Sequence, residues 1–276
     1  LYSSTYREYR ESGFEKHHLK FKPIIKTDNK KILISNQYLL YNLLAEGLYW
    51  IIRNYFNSKG RQDFTNVFGL YYEKYLEDIC TYYLDSDKFK KLVEDSKSQI
   101  CDWKIETSKY ILLVEQKSAL ASIFTKNIHP DIKQIKSYLK RLGKGFNQLK
   151  TSEDKIKNPD NKIIVKLLVH YESLYMPEIL EDEIIKTLNK SADEYMNTFL
   201  ATSSDIERII YALSQGDDIL NRIIDQKLYL EKIKDTNGRS FSKILDDNYI
   251  PNDYLKNVKN HYEKMVEKCR LLKTSF

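Results

Sequence analysis

The run Tyr110-Ile-Leu-Leu-Val-Glu-Gln-Lys117 ends in an acid, an amide and a base where an apolar strand would ordinarily give way to a turn. Side chains alternate across a strand, so Glu115 and Lys117 share one side and Gln116 points to the other. Glu106-Thr-Ser-Lys109 is turn chemistry, and a hairpin centred on Ser108 and Lys109 sets Asp102 directly opposite Glu115. Two carboxylates at cross-strand distance repel. A divalent cation between them removes the repulsion, and Mg²⁺ or Mn²⁺ would take Asp102, Glu115 and the carbonyl of Gln116 as hard oxygen ligands. Lys117 would then orient or deprotonate an attacking water, or neutralise a phosphate, which is the chemistry of phosphodiester hydrolysis. The plain structural alternative is a surface ion-pair cluster in which Lys117 satisfies Glu115.

Several elements must position these residues. Phe64 to Tyr83 has Phe68, Tyr72, Tyr75, Leu76 and Ile79 at helical spacing, which predicts a helix with Glu73 flanking its apolar face and Glu77 one turn later. Asp87 to Asp95 reads as a shorter helix. Gln99 to Ile105 and Tyr110 to Lys117 read as strands, the second apolar enough to be covered on both faces. Ile132 to Gln148 is an amphipathic helix with Ile135, Leu139, Leu142 and Phe146 as its stripe. Thr151 to Lys162 reads as a loop and Lys162 to Tyr171 as another strand.

With those elements in place, the segment resembles the PD-(D/E)XK, or restriction-endonuclease-like, nuclease superfamily. The likeness lies in an acid on one strand (Asp102) followed by acid-x-lysine on the next (Glu115-Gln116-Lys117). It extends to a helix glutamate in a Gly-x-x-aromatic-Glu context, Gly69-Leu-Tyr-Tyr72-Glu73, and to a glutamine on the following helix, Gln148. It covers Phe64 to Tyr171, under half the chain, and Cys101 stands where the family name has proline. The resemblance implies an α/β core with a central mixed sheet of about four strands between the Glu73 helix and the Gln148 helix. It also implies a Mg²⁺- or Mn²⁺-dependent endonuclease acting on DNA, with RNA the alternative substrate. Asp102, Glu115, the Gln116 carbonyl and Glu73 would serve the metal, and Asp102, Glu115, Lys117 and Glu73 the chemistry. Ser118, just past the lysine, is common in similar nucleases and equally common as a strand-end turn residue.

Lys133, Lys136, Lys140 and Lys144 recur at helical spacing opposite the apolar stripe, with Arg141 nearby. Such a stripe tracks phosphates without reading sequence, and with Gln148 it forms the predicted nucleic-acid contact. By itself the stripe would more simply be a solubilising face. Gly143-Lys-Gly145 lacks the upstream glycine of a P-loop, and the five histidines, including the doublet His17-His18, show no HExxH spacing. His170, ending an apolar strand, reads as a core or edge histidine.

The flanks read as helical. Ser35 or Asn36 caps a helix towards Phe56, preceded by irregular residues 1–30 and a short strand from Lys31 to Ile34. After Pro177 the pattern is helical to the end, with Ser204 and Glu207 as a capping-box pair, Gly216 as a stop and Asn252 as a cap. The expected organisation is an N-terminal helical arm packed on the core over residues 1–60, a nuclease core over 61–175 and a helical region over 176–276.

A net charge of +6 suits a polyanionic partner, and the longest apolar stretch, Leu39 to Ile52, is too short and polar for a membrane span. Three widely spaced cysteines, with no CxxC pair, point to a reducing, cytoplasmic setting. A start at Leu1 rather than Met is expected of a fragment or of a processed form; a fragment would leave room for an N-terminal partner domain, as in an effector nuclease within a larger bacterial defence or restriction protein. A homodimer or larger assembly is a further expectation, since many such nucleases cut both strands as dimers. The competing expectation is a catalytically inactive nuclease-fold module for nucleic-acid binding or protein assembly, its helical C-terminal third serving as partner interface.

Overall fold

The computed structural model describes residues 3–11, 13, 19, 22–27, 32–34, 62–92, 99–118, 132–171, 177–235, 238–258 and 260, with single or paired positions and a short stretch between 37 and 57. The chain divides into two compact units, Leu1–Phe68 and Gly69–Phe276.

In the first unit, β1 (Ser3–Thr5), β2 (Ile24–Lys26) and β3 (Ile32–Ile34) form a small sheet in that order, and α1 (Tyr6–Glu11) follows β1 directly. The α1 turn is closed reciprocally. Thr5 Oγ1 accepts from Glu8 N–H at 3.1 Å, and the Glu8 carboxylate accepts from Thr5 N–H at 2.7 Å. Residues 1–30, expected to be irregular, thus contribute two strands and a helix, while the strand expected at 31–34 is present. The helix expected towards Phe56 lies largely outside the described residues, as do His17, His18, His129 and His261.

The second unit is built on a five-stranded mixed sheet. Its strands are β4 (Phe89–Lys91), β5 (Trp103–Glu106), β6 (Tyr110–Lys117), β7 (Ile163–His170) and β8 (Thr198–Thr202), lying side by side in sequence order. The first three pair antiparallel, and β6, β7 and β8 run parallel. Helices cover both faces. On one lie α2 (Asp63–Tyr83, which runs across the boundary between the units), α5 (Ser203–Ser214), α6 (Asp217–Lys232) and α7 (Phe241–Asp247). Leu76, Ile79, Ile209, Ile223 and Phe241 meet Trp103, Leu112, Val114, Leu167 and Val169 there. On the other face, α3 (Ile132–Lys155) and α4 (Pro177–Leu188) place Leu139, Leu142, Phe146, Leu149 and Ile184 against Ile111, Leu113, Leu168 and Leu200. Coverage on both faces is why β6 reads as an unbroken apolar run.

Four expectations need correction. The helix expected over Asp87 to Asp95 is absent from the described residues 87–92, where Phe89–Lys91 is an edge strand paired with Ile105 to Trp103. The region after Pro177 is not wholly helical, because Thr198–Thr202 adds a fifth strand where about four were expected. The capping box of α5 is Thr202 with Asp205, two residues earlier than Ser204 with Glu207. Glu207 is instead buried, accepting from the Tyr75 hydroxyl and the Asn252 amide. Helix α3 also continues through Lys155 into residues expected to be a loop, while Asn252 caps residues 253–258 as expected, accepting from Leu255 N–H at 3.1 Å.

The outer edge of β8 is shielded. Leu200 N–H donates to the carboxylate of Glu181 on α4 at 2.6 Å, which occupies a donor that another strand would otherwise seek. Among the described residues, no helix is long and apolar enough to cross a membrane.

Candidate active site

Strand β6 ends at Lys117 and its parallel neighbours at His170 and Thr202, so three carboxyl ends lie together. That rim is where open α/β sheets bind ligands. The hairpin has the expected register, Trp103 facing Val114, but strand pairing stops there. Asp102 falls in a bend, and its Oδ2 accepts the N–H of Gln116 at 2.7 Å. The Asp102 carboxylate thereby takes over as acceptor where β5 leaves off. The two acids therefore do not simply oppose one another across the ladder. Asp102 is tied to the β6 main chain, and Glu115 takes the ammonium two residues along its own strand.

Lys117 Nζ donates to Glu115 Oε1 and, at 2.8 Å, to Gln148 Oε1. The pairing of the plain reading is thus present, with Glu115 only 2% exposed and Lys117 24%, so the carboxylate is buried while the ammonium keeps some contact with water. Burying a carboxylate is costly unless it is paired and hydrogen-bonded, which makes Lys117 the group that keeps Glu115 in place. Gln116 points the other way, as alternation requires: its amide accepts from Trp103 Nε1 at 3.0 Å and donates to the Tyr72 carbonyl at 2.9 Å. It locks β6 to α2 and leaves the two β6 charges on the α3 side.

Glu73, on α2, reaches the same rim. Its carboxylate meets Lys91 Nζ at 3.0 Å and lies close enough to Asp102 to oppose ionisation there. Burial first, and Glu73 next among the groups that raise it, push the Asp102 carboxyl up from 3.8 to about 6, against the pull of the Gln116 N–H, Lys117 and Lys91. Glu77 turns to Lys74 at 3.0 Å, so of the two helix glutamates Glu73 is the one beside the strand ends.

Among the described residues, no three His, Cys, Asp or Glu side chains gather as a metal cage. The donor chemistry on the rim nevertheless suits Mg²⁺, which uses one or two protein carboxylates and keeps several waters. Asp102 and Glu115 provide hard oxygens, and an Asp102 carboxyl raised by burial and by Glu73 is one that a divalent cation would return to its ionised form.

Two contributors were given no part in the site by the sequence. Gly145 lies on α3 over β6 and β7, where an added Cβ would come 2.5 Å from Leu168 Cδ1 and 3.2 Å from Lys117 Cε. A glycine between apolar positions of a helix signals such close approach. Gly145→Ala is expected to cost about 1–3 kcal/mol through overpacking, more than the roughly 1 kcal/mol of helix propensity it gains, and to displace Lys117. Urea unfolding tests this, and a variant as stable as the parent would refute it. Ser152 is the second: its hydroxyl accepts from Cys101 N–H at 2.7 Å and donates to the Gln148 carbonyl at 2.8 Å, tying the segment before Asp102 to α3.

Lys133, Lys136, Lys140 and Lys144 are all exposed on α3. Lys140, Lys144 and Gln148 succeed one another at four-residue steps, so the stripe runs into the residue that holds Lys117. Tyr138, on the same helix, bonds the fully buried His170 Nε2 at 3.0 Å at the end of β7. A separate cleft of about 460 Å³, lined by Ser204, Arg208, Asp246, Tyr249, Ile250, Pro251 and Asn252, shares no residue with this rim.

No protein-family model matches the chain, and no solved structure matches it. It is similar to SbcC, a component of the nuclease SbcCD of Staphylococcus haemolyticus (strain JCSC1435), 26% identical over 229 residues, 74% of this chain. The match spans only 22% of the length of SbcC.

Proposed function

We propose that the chain is a metal-dependent nuclease of PD-(D/E)XK type that hydrolyses phosphodiester bonds, with DNA the substrate. The observation that carries the reading is the buried Glu115–Lys117 pair, held by Gln148 and flanked by Asp102 and Glu73 at the carboxyl end of the parallel strands. Distant similarity to a nuclease component supports a nucleic-acid-processing role. Asp102, Glu115 and the Gln116 carbonyl would hold Mg²⁺ or Mn²⁺, with Glu73 on its water shell. Bound there, the ion supplies Lewis-acid charge stabilisation and a more acidic water. Lys117 would orient the attacking water and offset the growing negative charge on phosphate, its ammonium held by Gln148. An effector role within a larger defence or restriction protein, and action as a dimer, extend the same proposal.

The test is incubation of the purified chain with plasmid, single-stranded DNA and RNA, each with Mg²⁺, Mn²⁺ or chelator. Cleavage of DNA with either metal and none with chelator is the expected result. Binding without cleavage under every condition would favour the inactive nuclease-fold module instead.

The α3 stripe yields a separate expectation. Exchanging Lys136, Lys140 and Lys144 for alanine should weaken DNA binding and flatten its dependence on salt. Each lost phosphate contact should reduce the log–log slope by roughly 0.9. Measurement of binding to a labelled duplex from about 50 to 200 mM salt reads this, and an unchanged slope would return the stripe to a merely solubilising face.

A further inference from the structure

Lys91 is the last residue of the edge strand β4, and its Cα pairs with Trp103, the neighbour of Asp102. The next residue, Leu92, donates its N–H to the Asp102 carbonyl at 2.8 Å, so the end of β4 is fastened to the bend that carries the candidate acid. The Lys91 ammonium stands 5.6 Å over the Trp103 ring and 3.0 Å from Glu73 Oε2. The lysine side chain is 52% exposed and the glutamate 33%. At that distance the indole face attracts the ammonium. An ion pair this open to water is weakly held, so a phosphate oxygen could replace the carboxylate at little cost, most readily once Glu73 turns to a cation.

Lys91 and Lys117 stand on opposite sides of the rim. Lys117 faces α3 and its basic stripe, whereas Lys91 lies on the α2 side with Glu73 and Trp103. A strand crossing the carboxyl ends from the α3 stripe would pass Asp102 and Lys117 and then reach Lys91. We infer that Lys91 is a substrate-binding residue that grips a backbone phosphate on the side of the scissile bond away from α3. The inference rests on the nuclease reading for its location and adds to it a second phosphate contact and the path of the substrate strand.

The test compares Lys91→Gln, Lys91→Arg and the parent as full chains. One readout is equilibrium binding of a labelled DNA oligonucleotide across a salt series in chelator; the other is KM and kcat for cleavage with Mg²⁺. Lys91→Gln removes the charge and keeps most of the side chain, and thermal unfolding confirms that it folds. Its affinity is expected to fall about 5- to 20-fold, its salt slope by roughly 0.9, and the kinetic loss to lie in KM more than in kcat. Lys91→Arg should restore affinity and slope. An unchanged affinity and slope in Lys91→Gln overturns the assignment. So does a loss confined to kcat, which would make Lys91 a positioning residue for Glu73. If no metal supports cleavage by the parent but the affinity and slope still fall, the phosphate contact stands and the nuclease reading fails.

Discussion

Lys117→Ala should lower metal-dependent cleavage by roughly 10²- to 10⁴-fold, the range expected when a positioned acid–base group is lost. The variant should also be less stable. Glu115 is 2% exposed and paired to Lys117, so deleting the ammonium leaves a carboxylate in an apolar setting, a loss of about 3–5 kcal/mol. Loss of activity in this variant alone therefore cannot separate a chemical role from partial unfolding. The double exchange Glu115→Gln with Lys117→Met can. It removes both charges at nearly constant volume, and replacing a buried pair with uncharged groups is often neutral or stabilising. The double variant should melt near the parent yet remain inactive. Cleavage close to the parental rate by a well-folded double variant would end the assignment of Glu115 and Lys117 to the active site. Inactivity with a parental melt would show that the pair is needed for chemistry and not for the fold.

The same geometry explains what is legible in the chain and what is not. Strand β6 and helix α3 are legible because each has one strong signal: a long apolar run in one, a 3.6-residue stripe in the other. The hairpin register follows from the turn residues, which is why spacing alone sets Trp103 opposite Val114 and brings Asp102 to the end of the ladder. Edge strand β4 is not legible. Phe89-Lys-Lys91 is short, carries two lysines and pairs on one side only, so it offers neither alternation nor a run. Lys91 is lost with it. Strand β8 is five residues between a 3₁₀ turn and a helix, in a stretch otherwise helical, and only pairing with β7 distinguishes it. The capping box falls away from its expected place because two spacings satisfy the same pattern. The end of β8 at Thr202 decides between them, and that is a tertiary fact. The ion pair of Glu115 with its own i+2 lysine follows from alternation alone, but its burial depends on α3 lying close over Gly145, which single-residue spacing does not show.

Asp102 offers a test that needs no substrate. In chelator, its folded carboxyl titrates near 6 against 3.8 for the ordinary group, chiefly because burial penalises the charge. For an acid raised on folding, the native state holds its proton longer than the unfolded chain. Stability from this group is therefore unaffected below about pH 4, falls as the pH rises from about 4 to 6, and stays reduced above that. The displacement corresponds to roughly 3 kcal/mol at most, and residual water contact brings the expected loss to about 1–3 kcal/mol. Asp102→Asn removes the charge while leaving an oxygen for the Gln116 N–H. The variant should melt several degrees higher than the parent at about pH 8, by roughly 2–4 °C per kcal/mol, and no higher near pH 4. It should also be inactive. Stabilisation gained by removing a strained charged group is what a site kept for function would show. Magnesium should reverse the order, raising the melting temperature of the parent at about pH 8 and leaving that of the Asn variant nearly fixed, since ligand binding to the native state stabilises only where the ligand set is intact. A gain in the variant that is equal at both pH values, or equal responses of the two proteins to magnesium, would mean that Asp102 is neither a strained acid nor a cation ligand.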